Sequence, residues 1–371
     1  MAARKASALD APLSAAVRSA LGLLGTGPVD TTLAAFESIG ASFAGSSLNR
    51  RRRDATMRRI AFAFPDWDGP RVQSCAEGVW RHLFRLAGEV LVSGRLIRDG
   101  SWLNHVRFEP VFRGLDDVLD GRPAVCVTAH LGNFEIIGPV LSLLGVPMQA
   151  VYRPLDFKPL DDIVQGARRS TGMRLIDKFG AMRRLPSILD SGAVPAIVAD
   201  QNAGERGEFV PFFGRLASSY KSVASVAMKR DAVLVVGAVV RDEPPRSLGV
   251  DALHDAAAGR RRDSLSYTCR IIEAIRPEDW RDQPDPAFYI TARYRLLLER
   301  LVRQAPDQYF WMHRVWKSRP AFERERSAFP PELRDKLLAL PWMTPAEVER
   351  IEAQSEADAA FMAETGSTRL T

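Results

Sequence analysis

The chain has 371 residues, of which 46% are hydrophobic and 26% are charged, a composition that provides a sizeable core and excludes disorder over most of the length. The net charge of +6 is uneven, because residues 321–371 carry 6 basic and 10 acidic side chains, so that residues 1–320 have a net charge of +10. A basic body with an acidic tail indicates an anionic partner, namely nucleic acid, an acidic protein, phospholipid headgroups or a phosphorylated substrate.

Residues 1–55 are predicted to form a helical, amphipathic and basic N-terminal lead-in. Apolar residues recur in it at helical spacing, at Leu13, Val17, Leu21 and Leu24. The run Arg50–Arg53, with Arg58 and Arg59 just after it, is the densest positive patch and suits either a solvated helix face or attraction to anionic headgroups. No stretch supplies the ~20 apolar residues of a spanning helix and no cleaved signal peptide is evident, so we expect any membrane contact to be peripheral.

Residues 56–320 alternate between short β-rich apolar runs and amphipathic helical stretches. The predicted strands are Ala124–Thr128, Gln149–Tyr152, Pro195–Ala199, Val233–Val240 and Tyr267–Ile275. The predicted helices are Val72–Val92, Phe134–Leu144, Leu160–Ser170, Ala181–Leu189, Lys221–Arg230 and Ala287–Val302. This alternation predicts an α/β fold in which helices pack on the faces of a sheet.

The composition turns acidic beyond Pro320. Thr344, Pro345 and Glu347 form the pattern of a capping box, with Thr as the N-cap, Pro at the first helical position and Glu three residues after the cap. A C-terminal helix is therefore predicted from residue 345 to about residue 363. The sequence divides into the lead-in of residues 1–55, a central domain of residues 56–320 and an acidic helical tail of residues 321–371.

Several common sites are absent from the sequence. There is no G-x-S-x-G elbow, no G-x-x-x-x-G-K-S/T phosphate loop and no H-E-x-x-H motif, which disfavours a serine hydrolase of the usual signature, a P-loop ATPase and a zincin. The three cysteines, Cys75, Cys126 and Cys269, lie far apart without a CxxC pair. This spacing excludes a disulfide framework and a cysteine-ligated zinc site, suits a reducing compartment, and leads us to expect no metal.

One segment carries groups suited to acid–base chemistry, directly after the predicted strand Ala124–Thr128. His130 stands at the carboxyl end of that strand, where open α/β sheets bind their ligands. Gly132 and Asn133 turn the chain into the next helix, and Glu135 falls in its first turn, close enough to accept a hydrogen bond from one imidazole nitrogen. The other nitrogen then acts as a general base. The alternative is a structural histidine whose hydrogen bonds are satisfied by the fold.

Five blocks follow one another along the chain in a characteristic order. They are His130-x-x-x-x-Glu135, Val151-Tyr152-Arg153-Pro154, Asp200-Gln201, Val210-Pro211-Phe212-Phe213-Gly214 and the closing block A-P-D-Q-Y-F-W-M-H-R-V-W-K-S-R-P of residues 305–320. Together they resemble the bacterial lipid A late acyltransferases, the lauroyl and myristoyl transferases of lipopolysaccharide synthesis. The resemblance runs from about Arg50 to Pro320, and the closing block is its most specific part.

The resemblance implies an α/β fold of the glycerolipid-acyltransferase type for residues 56–320, with a mixed sheet and helices on both faces. It implies an O-acyltransferase that moves a fatty acyl chain from an acyl carrier protein or coenzyme A thioester, with no other cofactor, onto a hydroxyl of a lipid A-type glycolipid. The expected acceptor is the 3-hydroxyl of an existing acyl chain. The expected place of action is the cytoplasmic face of the bacterial inner membrane, where the protein binds an anionic surface peripherally and binds no nucleic acid.

The resemblance also assigns roles to individual residues. His130 is the base and Glu135 orients it. Arg169 and Asp200 match the family's basic and acidic positions, and a structural ion pair between them is the alternative. Because Arg168 directly precedes Arg169, either arginine could align with the family's basic position. Arg169 is also one candidate to meet the oxyanion of the reaction, and backbone N–H groups near Gly132 are the other.

The aromatic residues of these blocks are compatible with two roles. The resemblance implies that Arg153, Phe212 and Phe213 bind substrate, and that the two rings form walls of an acyl-chain groove. Trp311 is expected to belong to the same groove. Packing in the core is the alternative for all of these rings. We expect His313 of the closing block to be structural.

The sequence departs from the family pattern in three respects. The usual N-terminal hydrophobic anchor is weak, Asn202 stands where many relatives have a second acid, and the acidic tail extends beyond the family core. A P-E-G-T-R block is missing, which argues against a glycerol-3-phosphate or lysophosphatidate acyltransferase.

Two alternatives stay open: an acyltransferase for another glycolipid, such as a phosphatidylinositol mannoside, and a non-catalytic protein that binds membranes or nucleic acid through the Arg50–Arg59 patch.

Overall fold

Alternating strands and helices make up the part of the chain that the computed structural model describes, residues 22–109, 114–152, 158–169, 171–177, 180–242, 265–367 and 369–370. The strands are β1 (Val106–Phe108), β2 (Ala124–Thr128), β3 (Met148–Tyr152), β4 (Arg174–Asp177), β5 (Val194–Val198), β6 (Glu208–Phe212), β7 (Arg215–Ser219), β8 (Val233–Arg241) and β9 (Tyr267–Ile275). The α-helices are α1 (Val29–Gly45), α2 (Arg50–Ala63), α3 (Gly69–Leu96), α4 (Leu115–Leu119), α5 (Phe134–Leu143), α6 (Lys158–Arg169), α7 (Ala181–Asp190), α8 (Lys221–Arg230), α9 (Pro277–Trp280), α10 (Pro286–Gln304), α11 (Ala321–Glu325), α12 (Pro331–Leu338) and α13 (Pro345–Thr365).

The strands form a seven-stranded sheet in the order β1-β9-β8-β2-β5-β3-β4 and a separate two-stranded hairpin, β6-β7. The neighbours β8, β2, β5, β3 and β4 run parallel, whereas β9 is antiparallel to β8 and β1 is parallel to β9. The expected mixed sheet is therefore confirmed. Because the parallel strands end at one edge, the segments that follow β2 and β5 lie side by side there.

Both faces of the sheet are buried under helices, as expected. Val127 of β2 belongs to one apolar core together with Leu298 of α10. Its neighbour Cys126 belongs to the other core together with Val140 of α5, because successive side chains of a strand point to opposite faces. Burial on both faces explains why the strands appear in the sequence as continuous apolar runs rather than as alternating patterns.

The N-terminal part of the described chain packs against the rest through α1, which lies along α3. Three apolar residues of the predicted lead-in lie outside the described residues, namely Leu13, Val17 and Leu21. The fourth, Leu24, is exposed. Within the described ranges, no helix combines the length and the apolar character that crossing a membrane requires.

The basic patch Arg50–Arg59 is divided by the fold. Four of its arginines are exposed, namely Arg50, Arg51, Arg52 and Arg58. Arg59 is buried and donates hydrogen bonds to the carbonyl oxygens of Trp311 (3.1 Å) and Met312 (3.3 Å). Burial lowers the pKa of Arg59 to about 10, aided by the charge of Arg314. Arg59 therefore ties α2 to the closing block, and the solvent-facing patch is smaller than the sequence indicated.

The hairpin β6-β7 is the largest element that the sequence pattern did not predict. Its two-residue turn, Phe213-Gly214, has φ angles of +53° and +70°, the backbone of a type I′ turn. The N–H of Phe213 donates to the carboxylate of Glu299 on α10 at 2.5 Å, which anchors this left-handed residue. Pro211 inside β6 masks the strand pattern, and it is tolerated because a two-stranded hairpin leaves each strand with a free edge.

The acidic tail is packed onto the same body. Its helix α13 begins with the predicted capping box, in which the Thr344 hydroxyl accepts from the Glu347 N–H and the Glu347 carboxylate accepts from the Thr344 N–H at 2.7 Å. Val348, Ile351 and Met362 of this helix join the apolar core that contains α10. The tail thus adds to the core instead of forming a detached segment.

A buried ionic cluster joins the tail to the closing block. Arg319 donates to both carboxylate oxygens of Glu323 (2.6 and 2.7 Å), to Asp358 (2.9 Å) and to the carbonyl oxygen of Leu216 (2.6 Å). Arg215 also binds Asp358. Because these charges have lost their hydration, removal of one partner leaves the others uncompensated.

Replacing Arg319 with Met should lower the free energy of unfolding by roughly 3–5 kcal/mol, because the buried Glu323 loses its pairing charge and Asp358 keeps only Arg215. Urea unfolding of wild type and variant measures this difference. The matched control is Arg334→Met, since Arg334 pairs with Glu352 near the surface, where such pairs contribute about 0.2–1 kcal/mol. Equal losses in the two variants would contradict the argument from burial.

Candidate active site

Two polar side chains stand at neighbouring strand ends. Strands β2 and β5 pair so that Thr128 lies opposite Val198, and each strand is followed two residues later by a titratable side chain, His130 and Asp200 respectively. The order of the sheet thus brings together a predicted base and a predicted acidic residue that are 70 residues apart in sequence.

Asp200 holds His130 at two points. Its Oδ1 lies 2.7 Å from Nδ1 of the imidazole, and its Oδ2 accepts a hydrogen bond from the backbone N–H of His130 at 3.1 Å. Burial by itself would raise the pKa of Asp200, but the charge and hydrogen bonds of His130 hold that pKa below its usual range. The ionised Asp200 favours the tautomer of His130 with the proton on Nδ1, and the lone pair of Nε2 is left to accept a proton. The His130 side chain is 19% exposed, so a substrate can reach it.

Arg295 of α10 fixes the backbone of Asp200. This arginine is fully buried, and its Nη1 donates to the carbonyl oxygen of Asp200 at 2.8 Å. Its guanidinium also lies 4.1 Å from the centre of the Phe212 ring. The role of Arg295 was not expected from the sequence, because an arginine in an amphipathic helix usually lies on the exposed face.

The turn after His130 is fixed by contacts with β8 and the closing block. Gly132 has a φ of +57°, and a Cβ there would collide with the carbonyl oxygen of Val239, so the close approach requires glycine. The Gly132 N–H donates to the carbonyl oxygen of Gln308 (3.0 Å), and the Asn133 N–H donates to that of Val239 (2.8 Å). Both N–H groups are bound to backbone carbonyls, so neither of these two is free to meet an oxyanion.

Glu135 has a different partner from the expected one. It accepts two hydrogen bonds from Arg168 of α6, from Nε to Oε2 and from Nη2 to Oε1, both 2.8 Å long. The imidazole nitrogens of His130 instead face Asp200 and Gln201. The physical reason is that the first turn of α5 faces α6, where a guanidinium offers the carboxylate a bidentate, charge-assisted contact.

The same contact identifies the arginine at the basic position. Arg168 faces Glu135, whereas Arg169 is exposed and donates to Gln165 at 2.8 Å. The structure thus brings Arg168, and not the predicted Arg169, to Glu135. The carboxylate of Asp200 is bound by His130, so the alternative of an ion pair between Arg169 and Asp200 is not what the structure shows.

The closing block covers the site. Tyr309 forms a β-bridge with Leu131, and the N–H of Phe310 donates to the carbonyl oxygen of His130 at 3.0 Å. The ring centre of His313 lies 4.5 Å from that of His130. His313, which the sequence led us to regard as structural, is therefore a neighbour of the base.

Gln201 connects the two imidazoles. Its Nε2 lies 3.1 Å from Nε2 of His313 and 3.4 Å from Nε2 of His130. Asp200-Gln201 is one of the five blocks of the resemblance, yet no role for Gln201 was expected from the sequence. The sequence offered one signal for a role of Gln201, namely that it directly follows Asp200, the residue that binds His130.

The predicted groove residues Phe212 and Phe213 lie in the core. They are 0% and 5% exposed, and Phe213 packs with its ring centre 5.3 Å from that of Phe64 and 5.6 Å from that of Trp311. Core packing, the alternative for these rings, is therefore the role that the structure gives them. Arg153 lies outside the described residues.

A second buried ionic group lies behind the turn that contains Asn133. Glu89 of α3 is fully buried and binds Arg241 (2.5 Å), Arg85 (3.1 Å) and the side-chain amide of Asn133 (3.0 Å). Through Asn133, this network supports the start of α5. No local pattern could reveal it, because its members come from three different elements.

His130, Asp200 and His313 each present one ligand atom, and these atoms lie within 4.8 Å of one another, so the three residues are able to hold a metal ion. The 2.7 Å contact of Nδ1 with Asp200 leaves Nε2 as the nitrogen of His130 that is available as a ligand. The expectation of no metal stays a prediction.

Comparison with known proteins gives a family match over most of the chain. Residues 5–318 match the family described as bacterial lipid A biosynthesis acyltransferase. A lipid A biosynthesis palmitoleoyltransferase of Escherichia coli K12 is 25% identical over 283 residues, which cover 74% of this chain and 81% of that protein. A lipid A biosynthesis acyltransferase of Haemophilus influenzae is 21% identical over 275 residues, which cover 73% and 77% of the two chains.

A solved structure gives a weaker likeness. A 1-acyl-sn-glycerophosphate acyltransferase of Thermotoga maritima aligns with 70% of this chain and 96% of its own, at 13% identity and a TM-score of 0.32. The family match begins well before Arg50, where the recognisable motifs begin, and it ends just before the acidic tail.

The titration of His313 provides a test of the site through pH. Burial lowers its pKa to about 4, aided by the charges of His130 and Arg59 against the opposing charge of Asp200. The pKa of a histidine in an unfolded chain is about 6.5. Between pH 6.5 and pH 4 the folded protein therefore binds fewer protons than the unfolded chain, so the free energy of unfolding should fall as the pH drops.

Urea unfolding between pH 7 and pH 4 should therefore show a steeper loss of stability for wild type than for His313→Gln, by up to about 3 kcal/mol over the window. The His313→Gln variant is the control for the wild type, because it lacks only the titration of His313 and keeps all other titrating groups. Parallel pH dependences in the two proteins would contradict the lowered pKa of His313.

Proposed function

Because the chain belongs to the bacterial lipid A biosynthesis acyltransferase family, we propose that it transfers a fatty acyl chain from a thioester donor to a hydroxyl of a lipid A-type glycolipid. The chain is an acyltransferase, as its family and its relatives indicate. The single observation that carries the proposed mechanism is the hydrogen bond between His130 and the buried Asp200 at the carboxyl edge of the sheet.

His130 acts as the general base. Asp200 holds the proton on Nδ1, so Nε2 accepts the proton of the acceptor hydroxyl while that oxygen attacks the thioester carbonyl. The tetrahedral intermediate then expels the thiolate, which takes the proton from Nε2, and the products are an ester and a thiol. The buried carboxylate of Asp200 stabilises the imidazolium that exists between these two proton transfers.

The acyl chain passes directly from donor to acceptor. Burial raises the pKa of the Cys75, Cys126 and Cys269 thiols to about 12, so none of them is a thiolate nucleophile at neutral pH. A base without an activated nucleophile beside it supports attack by the acceptor hydroxyl itself.

The proposed donor is an acyl carrier protein or coenzyme A thioester, and the proposed acceptor hydroxyl is the 3-hydroxyl of an existing acyl chain. Both donors are anionic, which matches the net charge of +10 on residues 1–320. No cofactor beyond the donor takes part in this scheme. The family match favours a lipid A-type acceptor over a phosphatidylinositol mannoside.

We further propose that the protein acts peripherally at the cytoplasmic face of the inner membrane, bound through the exposed end of α2. Arg51 and Arg52 are exposed there, and Leu48, just before the helix, is 84% exposed. Arg59 of the same helix contacts the closing block. At about 1.5 Å of rise per residue, the exposed arginines lie about 10–12 Å from that contact. A lipid held at this surface is therefore near the closing block, which contacts His130 through Phe310.

Removal of the base should abolish most transfer, and because it also takes the Nδ1–H donor from the buried Asp200 carboxylate, it should lower Tm. His130→Ala should lower kcat by about 10²–10⁴-fold, the usual contribution of a general base. Asp200→Asn should also cause a large loss, because an amide nitrogen facing Nδ1 favours the wrong tautomer. The measurement is acyl transfer from acyl carrier protein to a lipid A precursor, read by mass spectrometry, with Tm recorded on the same preparations.

Asp190→Asn is the matched control for Asp200→Asn, because Asp190 pairs with Arg230 at the surface. Glu135→Gln should lower kcat less than Asp200→Asn does, since Glu135 binds Arg168 and not the imidazole.

Activity of the His130→Ala variant within a few-fold of wild type would overturn the mechanism. Transfer to a phosphatidylinositol mannoside and not to a lipid A precursor would favour that acceptor, and a wild type without transfer would favour a non-catalytic binding protein.

Neutralising the exposed arginines of α2 should weaken membrane binding. The double variant Arg51→Gln/Arg52→Gln should bind vesicles that contain anionic phospholipid more weakly than wild type, by about 1 kcal/mol per arginine near the surface. Binding of wild type should also fall as salt rises, because the Debye length is about 8 Å at physiological ionic strength. Vesicle co-sedimentation at several salt concentrations measures both effects.

The matched control is Arg122→Gln/Arg281→Gln. These two arginines are similarly exposed, but they precede β2 and follow β9, at the edge of the sheet opposite to His130. Equal weakening by both double variants would indicate non-specific attraction of a basic protein and would contradict docking through α2.

A further inference from the structure

Gln201 lies at the reacting nitrogen of the proposed base. Its Nε2 is 3.4 Å from Nε2 of His130 and 3.1 Å from Nε2 of His313. An acceptor hydroxyl has to reach the same Nε2 of His130 before it can be deprotonated. The side-chain amide of Gln201 therefore borders the space in which the thioester carbonyl is attacked.

The protonation of the two imidazoles fixes the orientation of this amide. His130 donates its Nδ1 proton to Asp200, so its Nε2 is an acceptor and needs a donor opposite. The NH₂ group of Gln201 supplies two N–H donors, one for each imidazole, whereas the amide oxygen would face a lone pair. Burial lowers the pKa of His313 to about 4, so this ring is neutral at neutral pH, and in the tautomer with its proton on Nδ1 its Nε2 also accepts from the amide.

The two contacts of the amide differ in strength. The 3.1 Å contact with His313 lies within the usual hydrogen-bond range of about 2.7–3.2 Å, whereas the 3.4 Å contact with His130 lies beyond it. His313 therefore anchors the amide, and the N–H that faces His130 is free to change partner when a hydroxyl binds at Nε2.

Most donors that the sequence suggested for the oxyanion are engaged elsewhere. The N–H groups of Gly132 and Asn133 bind backbone carbonyls of the closing block and of β8. Arg168 binds Glu135 through Nε and Nη2, which leaves its buried Nη1 without a partner among the described residues, and Arg169 is exposed. The reaction still requires a donor where negative charge develops, beside the base.

We infer that Gln201 is a catalytic residue that donates a hydrogen bond to the oxyanion of the tetrahedral intermediate, an inference that rests on the proposed acyl transfer. When the hydroxyl proton reaches Nε2 of His130, that nitrogen can no longer accept from Gln201, and the freed amide N–H turns to the former carbonyl oxygen. When the C–S bond breaks, this oxygen becomes the ester carbonyl and the leaving thiolate takes the proton from His130. The amide thus acts on the charged intermediate more than on the substrate, which lowers the barrier.

Gln201→Leu tests this role, because it removes both N–H donors and keeps a side chain of similar size. We expect kcat to fall by about 10²–10³-fold, the usual effect of losing one oxyanion donor. KM for the thioester should change little, since the contact is made mainly in the transition state. The matched control is Gln304→Leu at the exposed end of α10, which should keep the kcat of wild type.

Gln201→Glu adds a readout that a merely structural role would not move. The carboxylate has the shape of the amide but carries no donor, and it places a negative charge beside His130. The acidic limb of the pH–rate profile should therefore shift to higher pH, in addition to the loss of kcat. An acidic limb at the wild-type position would contradict the contact between Gln201 and the base.

The outcomes separate this inference from the proposed function. If Gln201→Leu keeps kcat within about threefold of wild type while His130→Ala is inactive, the role of Gln201 is overturned and acyl transfer stands. If wild type transfers no acyl chain, the proposed function and the role of Gln201 both fall. If Gln201→Leu does not fold, Gln201→Glu decides through its kcat and its acidic limb.

Discussion

The pairing of a buried carboxylate with an imidazole at the neighbouring strand end is the constraint on which the site depends. Asp200 stays ionised in an apolar environment because His130 offers it two donors, the Nδ1–H and the backbone N–H. Without them the buried charge would be strongly destabilising. The same contacts fix the tautomer of His130, so the stability of this edge of the sheet and the ability of Nε2 to take a proton arise from one interaction.

Elements that are distant in sequence converge to keep this pair in place. Arg295 of α10 binds the backbone of Asp200, and the closing block binds the backbone of His130. Arg59 of α2 binds the closing block in turn. The reacting groups are therefore positioned by the sheet and by packed helices before substrate arrives. Burial keeps His313 neutral at physiological pH, so no second positive charge opposes the imidazolium that forms on the base.

The strands Ala124–Thr128 and Tyr267–Ile275 could be predicted from sequence, because apolar and β-branched residues predominate in both. Both have the predicted bounds. The partner of His130 could not be predicted in the same way. Glu135 is near it in sequence, but the order of strands in the sheet, which no local pattern encodes, brings Asp200 to the imidazole. Whether an aromatic ring packs in the core or lines a groove likewise depends on neighbours that only the fold supplies.

The central claim is that the Nδ1 proton of His130 is held by Asp200 and not by Glu135. Nitrogen-15 NMR of protein labelled at its histidine nitrogens tests it directly, because protonated and unprotonated ring nitrogens differ in chemical shift. We predict that Nδ1 of His130 carries a proton at neutral pH, that Glu135→Gln keeps its signal and that Asp200→Asn changes it. A wild-type tautomer with the proton on Nε2 alone, or a signal altered by Glu135→Gln and untouched by Asp200→Asn, would contradict the account.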